Sequence, residues 1–100
     1  MEKLIKERIN GFEIVSYENE YKTDNYELCK EWLHNNVVEI ESINKKHTSY
    51  TIKHIVEKKI GAYVSNYDVK YAMCELGIKN WHRDSNDINY CYPISEKLFK

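Results

Sequence analysis

The sequence predicts one α+β domain. Three stretches repeat apolar residues at helical spacing and are bounded by helix-capping residues. Runs rich in β-branched and aromatic residues stand before the first of these stretches and after the last. The chain has 100 residues with one proline and three glycines, so it offers no linker and no room for a second core. Hydrophobic residues make up 42% and charged residues 31%, enough apolar side chain to offset chain entropy, unlike a disordered tail.

Residues 1–22 form an N-terminal segment in which Phe12-Glu13-Ile14-Val15-Ser16-Tyr17, after Gly11, reads as a short strand. A helical region spans 23–77. Asp24 with Glu27 has the spacing of a capping box, and Cys29, Trp32, Leu33, Val37 and Ile40 follow at helical intervals. The β-branched run Val37-Val38-Glu39-Ile40 leaves two endings open, a break near Asn36 or continuation to about Ile43. The second helix starts at Thr48 or Ser49, carries Ile52, Ile55, Val56 and Ile60 on one stripe, and stops at Gly61. The third is capped by Ser65 with Asp68, buries Val69, Ala72, Met73 and Leu76, and ends at Gly77. Residues 78–92 then read as a β-hairpin turning through Asp84-Ser85-Asn86-Asp87. This is the order of a winged helix-turn-helix. The expected fold is therefore a small winged helix-turn-helix-like domain: three helices plus a C-terminal β-hairpin and a short N-terminal strand.

The formal net charge of −1 conceals a segregation. Residues 1–43 hold five basic side chains against ten acidic ones, a net −5, whereas in 44–60 Lys45, Lys46, Lys53, Lys58 and Lys59 face only Glu57, a net +4. A spot of that size suits one acidic partner surface or a few phosphates, not strong non-specific DNA binding. On the third helix, Asn66, Tyr67, Lys70, Tyr71 and Cys74 fall outside the apolar stripe. Asn66 suits adenine and Lys70 suits guanine or phosphate, with Arg83 and Lys79 placed to touch backbone. Asp68 and Glu75 on the same helix count against a phosphate partner. Trp81, Tyr67 and Tyr71 are the aromatic candidates for an interface, while Trp32 belongs to the core stripe. The candidate nucleic-acid or partner-binding residues are thus Lys45, Lys46, Lys53, Lys58, Asn66, Tyr67, Lys70, Tyr71, Trp81 and Arg83.

Catalytic, metal and cofactor chemistry find no constellation. Cys29, Cys74 and Cys91 include no Cys-x-x-Cys pair and are expected to be buried, reduced thiols. His34, His47, His54 and His82 lack the i, i+4 spacing that places two imidazoles on one helical face. No nucleophile stands beside a base and no carboxylates are paired, so the expectation is a protein that is not an enzyme and uses no cofactor. No apolar run reaches the roughly 20 residues of a membrane span, and Met1-Glu2-Lys3-Leu4-Ile5-Lys6-Glu7-Arg8 lacks a secretory apolar stretch, so a cytoplasmic location is expected.

Across Ile43–Ser95 the chain shows Ile43-Asn44, His47-Thr48-Ser49-Tyr50, Lys53-His54-Ile55-Val56-Glu57, Tyr63-Val64-Ser65-Asn66, Ala72, Gly77 and Ile94-Ser95. In these residues, about half the chain, it resembles small proteins encoded by phages, conjugative elements and plasmids of low-GC bacteria. The resemblance implies a mobile-element setting in a bacterial host and transfers no activity. Small proteins in that setting commonly regulate transcription or block host defences, CRISPR nucleases among them. Two expectations follow. One is a non-enzymatic inhibitor of a host defence nucleoprotein complex, acting by direct protein contact or nucleic-acid mimicry. The other is a winged-helix DNA-binding transcriptional regulator. The expected partners are a host protein or nucleoprotein complex, with DNA and a second copy of the chain as alternatives, and no membrane.

Overall fold

The computed structural model describes residues 3–100; Met1 and Glu2 of the N-terminal stretch lie outside the described residues. It is an α+β fold of three α-helices and two small antiparallel sheets. The N-terminal segment is a hairpin, not the single strand expected. Strand β1 (Leu4–Ile9) pairs with β2 (Phe12–Tyr17) from Leu4↔Tyr17 to Ile9↔Phe12. The two turn residues Asn10 and Gly11 have φ of 50° and 83°. Positive φ at both central positions is what a two-residue hairpin loop of matching twist requires, and Asn-Gly adopts it at least cost.

Helix α1 (Tyr26–Asn36) breaks at Asn36, where Val37 turns extended while its N–H still reaches the Leu33 carbonyl. The β-branched residues after it enter strand β3 (Glu39–Asn44), so Ile40 is exposed and not on a helical stripe. The proposed Asp24/Glu27 box is not the N-terminal device: the cap position is Asn25 and makes no side-chain cap bond. The carboxylate that organises this entry comes from Asp68, which accepts from Thr23 N at 2.9 Å and Thr23 Oγ1 at 2.5 Å.

Helix α2 (Ser49–Ile60) and helix α3 (Asn66–Glu75) start and stop as the sequence implies. Gly61 closes α2 at φ 70°. Ser65 Oγ accepts the Asp68 N–H at 2.9 Å and Asp68 accepts the Ser65 N–H at 3.0 Å, a complete capping box. At the other end Gly77 (φ 79°) lets its own N–H reach Cys74 O and the Ile78 N–H reach Met73 O, the paired bonds of a Schellman stop.

The expected C-terminal hairpin is reduced to one bridge. Trp81 and Cys91 exchange both backbone hydrogen bonds at 2.8 Å and close the loop 82–90. Tyr90 cannot extend the ladder because both its backbone groups go to α2: its carbonyl accepts from Ser49 N at 2.7 Å and its N–H donates to Ser49 Oγ at 3.1 Å. The next residues form strand β4 (Tyr92–Ile94), which pairs instead with β3 through Glu39↔Ile94 and Asn44↔Tyr92, with a bulge between. A short 3₁₀ turn, Glu96–Phe99, follows, with Phe99 stacked on His47.

Helix α3 is the centre of the core. Its Val69, Ala72 and Met73 meet Leu33 and Cys29 of α1, Ile52 and Val56 of α2, Ile14 and Val15 of β2, and the buried Tyr90 and Tyr92. All three thiols are buried and free. Burial pushes the Cys29 thiol up to about 12 and the Cys74 thiol up to about 11. Since the thiolate is the reactive form, Ellman's reagent at pH 8 should leave all three cysteines of the native chain essentially unmodified over minutes and titrate three in guanidinium chloride. Fast native reaction of Cys29 or Cys74 would contradict this packing.

Candidate functional site

The Trp81–Cys91 bridge presents Trp81, the more exposed of the two tryptophans, with 36% of its surface in water. It forms one wall of a cleft of about 480 Å³ whose other sides come from Lys45, Thr48, Arg83 and Asp87. Lys45 stands on the turn between β3 and α2, and its Nζ lies 4.4 Å from the Trp81 ring centroid. Thr48 is the N-cap of α2 and makes no side-chain cap bond. Opposite, Asp84 accepts the Asn86 N–H at 2.9 Å in an Asx turn, and Asp87 reaches back to accept the Arg83 backbone N–H at 2.8 Å, two bonds that shape the loop. Asp87 is thereby committed to the loop backbone, and the Arg83 guanidinium makes no ion pair among the described residues. The cleft thus combines an aromatic face with two exposed cations, the pairing suited to phosphate-bearing or planar ligands.

Of the sequence-derived candidates, Lys45, Trp81 and Arg83 converge on this cleft. Lys46 is exposed nearby in sequence, next to Asn44, whose Oδ1 accepts its N–H at 3.1 Å. Lys53 and Lys58 lie on α2. Lys58 is exposed, whereas Lys53 Nζ is held at 2.7 Å by Glu57 one turn on and faces a second groove with Tyr50 and Tyr63.

The candidates on α3 are not surface groups, and their roles must be corrected. Lys70 is fully buried, its Nζ donating to the Val15 carbonyl at 2.6 Å with Glu20 at 3.4 Å. Burial pushes its pKa down, against the pull of Glu20. Asn66 is buried, its Nδ2 donating to Ile88 O at 3.1 Å and Asn89 Oδ1 at 2.9 Å. Tyr67 is buried and donates to Glu7 at 2.6 Å. Tyr71 is half-buried between Tyr26 and Tyr67, with Lys22 Nζ 3.6 Å from its ring. Tyr71 is covered from the α1 side by Tyr26 and Lys22, and one cause explains the other three. The β1–β2 hairpin and the loop around Ile88 and Asn89 cover the face of α3 that helical spacing alone leaves outward, and Asn10 Nδ2 reaches the Cys74 carbonyl at 2.7 Å to fasten the hairpin there.

Sequence reasoning missed Thr48, Asp87, Tyr50 and Tyr63 as groove residues. Tyr50 carried a local signal, since it stands one turn before His54 and meets it edge-on at 4.6 Å. Among the described residues no group of three or more metal-ligating side chains assembles, and no helix is long and apolar enough to cross a membrane. Compared with protein-family models, with curated proteins and with solved structures, the chain gives no match.

Proposed function

We propose that this is a non-enzymatic binding protein that engages a nucleoprotein partner through the Trp81 cleft, and that in the mobile-element setting of its resemblance it inhibits a host defence complex. The observation that carries the reading is convergence: Lys45 before α2, Trp81 after α3 and Arg83 in the loop share one cleft. A tryptophan ring beside two cations can take a base, a backbone phosphate or an acidic side chain of the partner. Residues 1–43, with their net −5, supply charge of the opposite sign for a basic cleft of a partner. The test is affinity capture from a host lysate with the wild-type chain and a Trp81→Ala/Arg83→Ala variant, followed by nuclease assays on what is recovered. A nuclease or its guide complex held and inhibited by the wild type alone supports the reading; recovery of DNA fragments only, or equal capture by both, removes it.

A second reading, a winged-helix DNA-binding regulator, is favoured by one feature. Strand β3, between the first two helices, pairs with β4 after the third, which is the small sheet of that topology. With α3 covered, the DNA contacts would come from the loop 82–90 and the start of α2. Lys45→Ala and Arg83→Ala should then each reduce the salt slope of duplex binding by about one. Absence of any retarded duplex at about 0.15 M salt, where loose electrostatic binding is already screened, eliminates the regulator.

A further inference from the structure

Lys45 brings a cation to the Trp81 cleft, yet among the described residues no hydrogen bond and no ion pair holds it; its contact is the Trp81 ring, whose centroid lies 4.4 Å from Nζ. The residues on either side of it are tied down, and one carboxylate ties them. We propose that Glu96, in the C-terminal 3₁₀ turn, is a positioning residue of the cleft: it staples the two ends of the β3–α2 turn together and so aims Lys45 at Trp81. The inference deepens the cleft reading and rests on it, since it names what sets one of the two cations of the cleft.

Both oxygens of Glu96 take part. Oε1 accepts from Asn44 Nδ2 at 2.9 Å, and Oε2 lies 3.1 Å from His47 Nε2. Asn44 and His47 are the residues before and after the Lys45-Lys46 pair, so a single side chain closes the turn that carries both lysines. Each anchor has a second hold. Asn44 Nδ2 also donates to the Ile94 carbonyl at 3.2 Å, while Asn44 Oδ1 accepts the Lys46 N–H at 3.1 Å in an Asx turn that encloses Lys45. The His47 ring stacks on Phe99, with centroids 3.7 Å and planes 17° apart. Glu96 is in turn placed by Ser95, whose N–H reaches the Val38 carbonyl at 2.8 Å just before β3 and whose Oγ accepts the Lys97 N–H at 3.2 Å. Charge then sorts the two lysines. The Asn44 hydrogen bond, with His47 and Lys46 beside it, holds the Glu96 carboxyl below the usual carboxylate range, so it is an anion at neutral pH. That anion draws Lys46 and leaves Lys45 to the Trp81 ring. Lys45 is exposed, and an exposed cation–π contact is too weak to fix a long flexible side chain by itself, so the turn has to deliver it.

The test reads Lys45 directly by NMR on the full chain. Protons above an aromatic ring resonate upfield, so the ε-methylene signal of Lys45 reports its seat on Trp81, and Trp81→Ala identifies that displacement by removing it. Glu96→Ala should take away most of the displacement, and His47→Ala should do the same from the other anchor. Glu96→Gln should keep it, because an amide can still accept from Asn44 and donate to the imidazole. The Glu96 side chain is 39% exposed, so the melting temperatures of both Glu96 variants should stay close to that of the wild type, and the methyl signals of the buried Ile52 and Met73 should not move. No displacement in the wild type, or an unchanged Lys45 signal in Glu96→Ala, overturns the inference. A loss in Glu96→Gln as large as in Glu96→Ala overturns it too, since charge and not the staple would then be acting. Should Glu96→Ala fold poorly, His47→Ala and Glu96→Gln carry the same decision. Failure of the cleft reading looks different: equal capture by the wild type and the Trp81→Ala/Arg83→Ala variant ends that reading whatever the Lys45 signal does, whereas an unchanged Lys45 signal ends the inference and leaves the cleft in place.

Discussion

Replacing Asp68 with alanine should destabilise the domain by about 3–5 kcal/mol, the range for emptying a buried acceptor site that serves three donors at once. Asp68 is fully buried, and its carboxylate accepts from Thr23 N, Thr23 Oγ1 and Ser65 N while its own N–H closes the capping box on Ser65 Oγ. The substitution removes half of the α3 cap, typically worth about 1 kcal/mol. It also leaves the Thr23 N–H and hydroxyl without their acceptor, each costing roughly 1–3 kcal/mol to the extent that it is shielded from water. The melting temperature should fall by roughly 15 °C or more at this chain length. Asp24→Ala is the control, because Asp24 is exposed and the capping box it suggests does not form; its effect should stay within about 0.5 kcal/mol. Thermal melts of the two variants decide the point: if Asp24→Ala is as damaging as Asp68→Ala, the chain enters α1 by its own cap and is not fastened to α3.

The contrast between these two aspartates also marks what can be read from the sequence. Signals confined to a few consecutive residues were legible: Ser65 with Asp68, Gly61, and Gly77 place the limits of α2 and α3 because cap and stop are made locally. The β1–β2 hairpin carried such a signal in Asn10-Gly11, but the strand before it reads Leu-Ile-Lys-Glu-Arg-Ile, whose charged middle hides its β character. What no local pattern conveys is where a polar group finds its partner. Asp68 shares one carboxylate between its own cap and Thr23, and Tyr90 gives its backbone to Ser49 when the hairpin pattern assigns it to a cross-strand neighbour. The same holds for the site. Residue types named Lys45, Trp81 and Arg83 as binding candidates, but only the Trp81–Cys91 bridge and the folded loop bring them together. Helical spacing placed Lys70 and Asn66 outward, and the covering hairpin and loop reversed that placement.

Lys70→Ala should cost about 3 kcal/mol, within the range for truncating a long buried side chain to a cavity, whereas Lys70→Met should stay within about 1 kcal/mol of the wild type. The distinction follows from what the side chain does. Its stem fills the space between α3 and the β1–β2 hairpin, while its ammonium group is held out of water on the Val15 carbonyl and Glu20. Methionine keeps the stem volume and removes a buried charge, a replacement that is often neutral because desolvation had offset much of the pairing. Glu20 is partly exposed and can return to water. The pH dependence separates the two contributions. Burial holds the Lys70 pKa below its usual value of 10.5, so the folded state sheds this proton more readily than the unfolded chain, and stability from this group rises as pH climbs from the folded pKa toward the unfolded one. The buried thiols and phenols have the opposite sign. Cys29, pushed up to about 12, and Cys74, to about 11, keep their protons longer in the fold, as do Tyr26, Tyr67, Tyr90 and Tyr92. Their contribution is complete below about pH 9 and is lost above it. Urea melts of wild type and Lys70→Met from pH 7 to 10.5 should therefore diverge, the variant falling more steeply because it lacks the compensating rise. If Lys70→Met proves as unstable as Lys70→Ala at pH 7, the hydrogen bond to Val15, and not the packed stem, fastens the hairpin over α3.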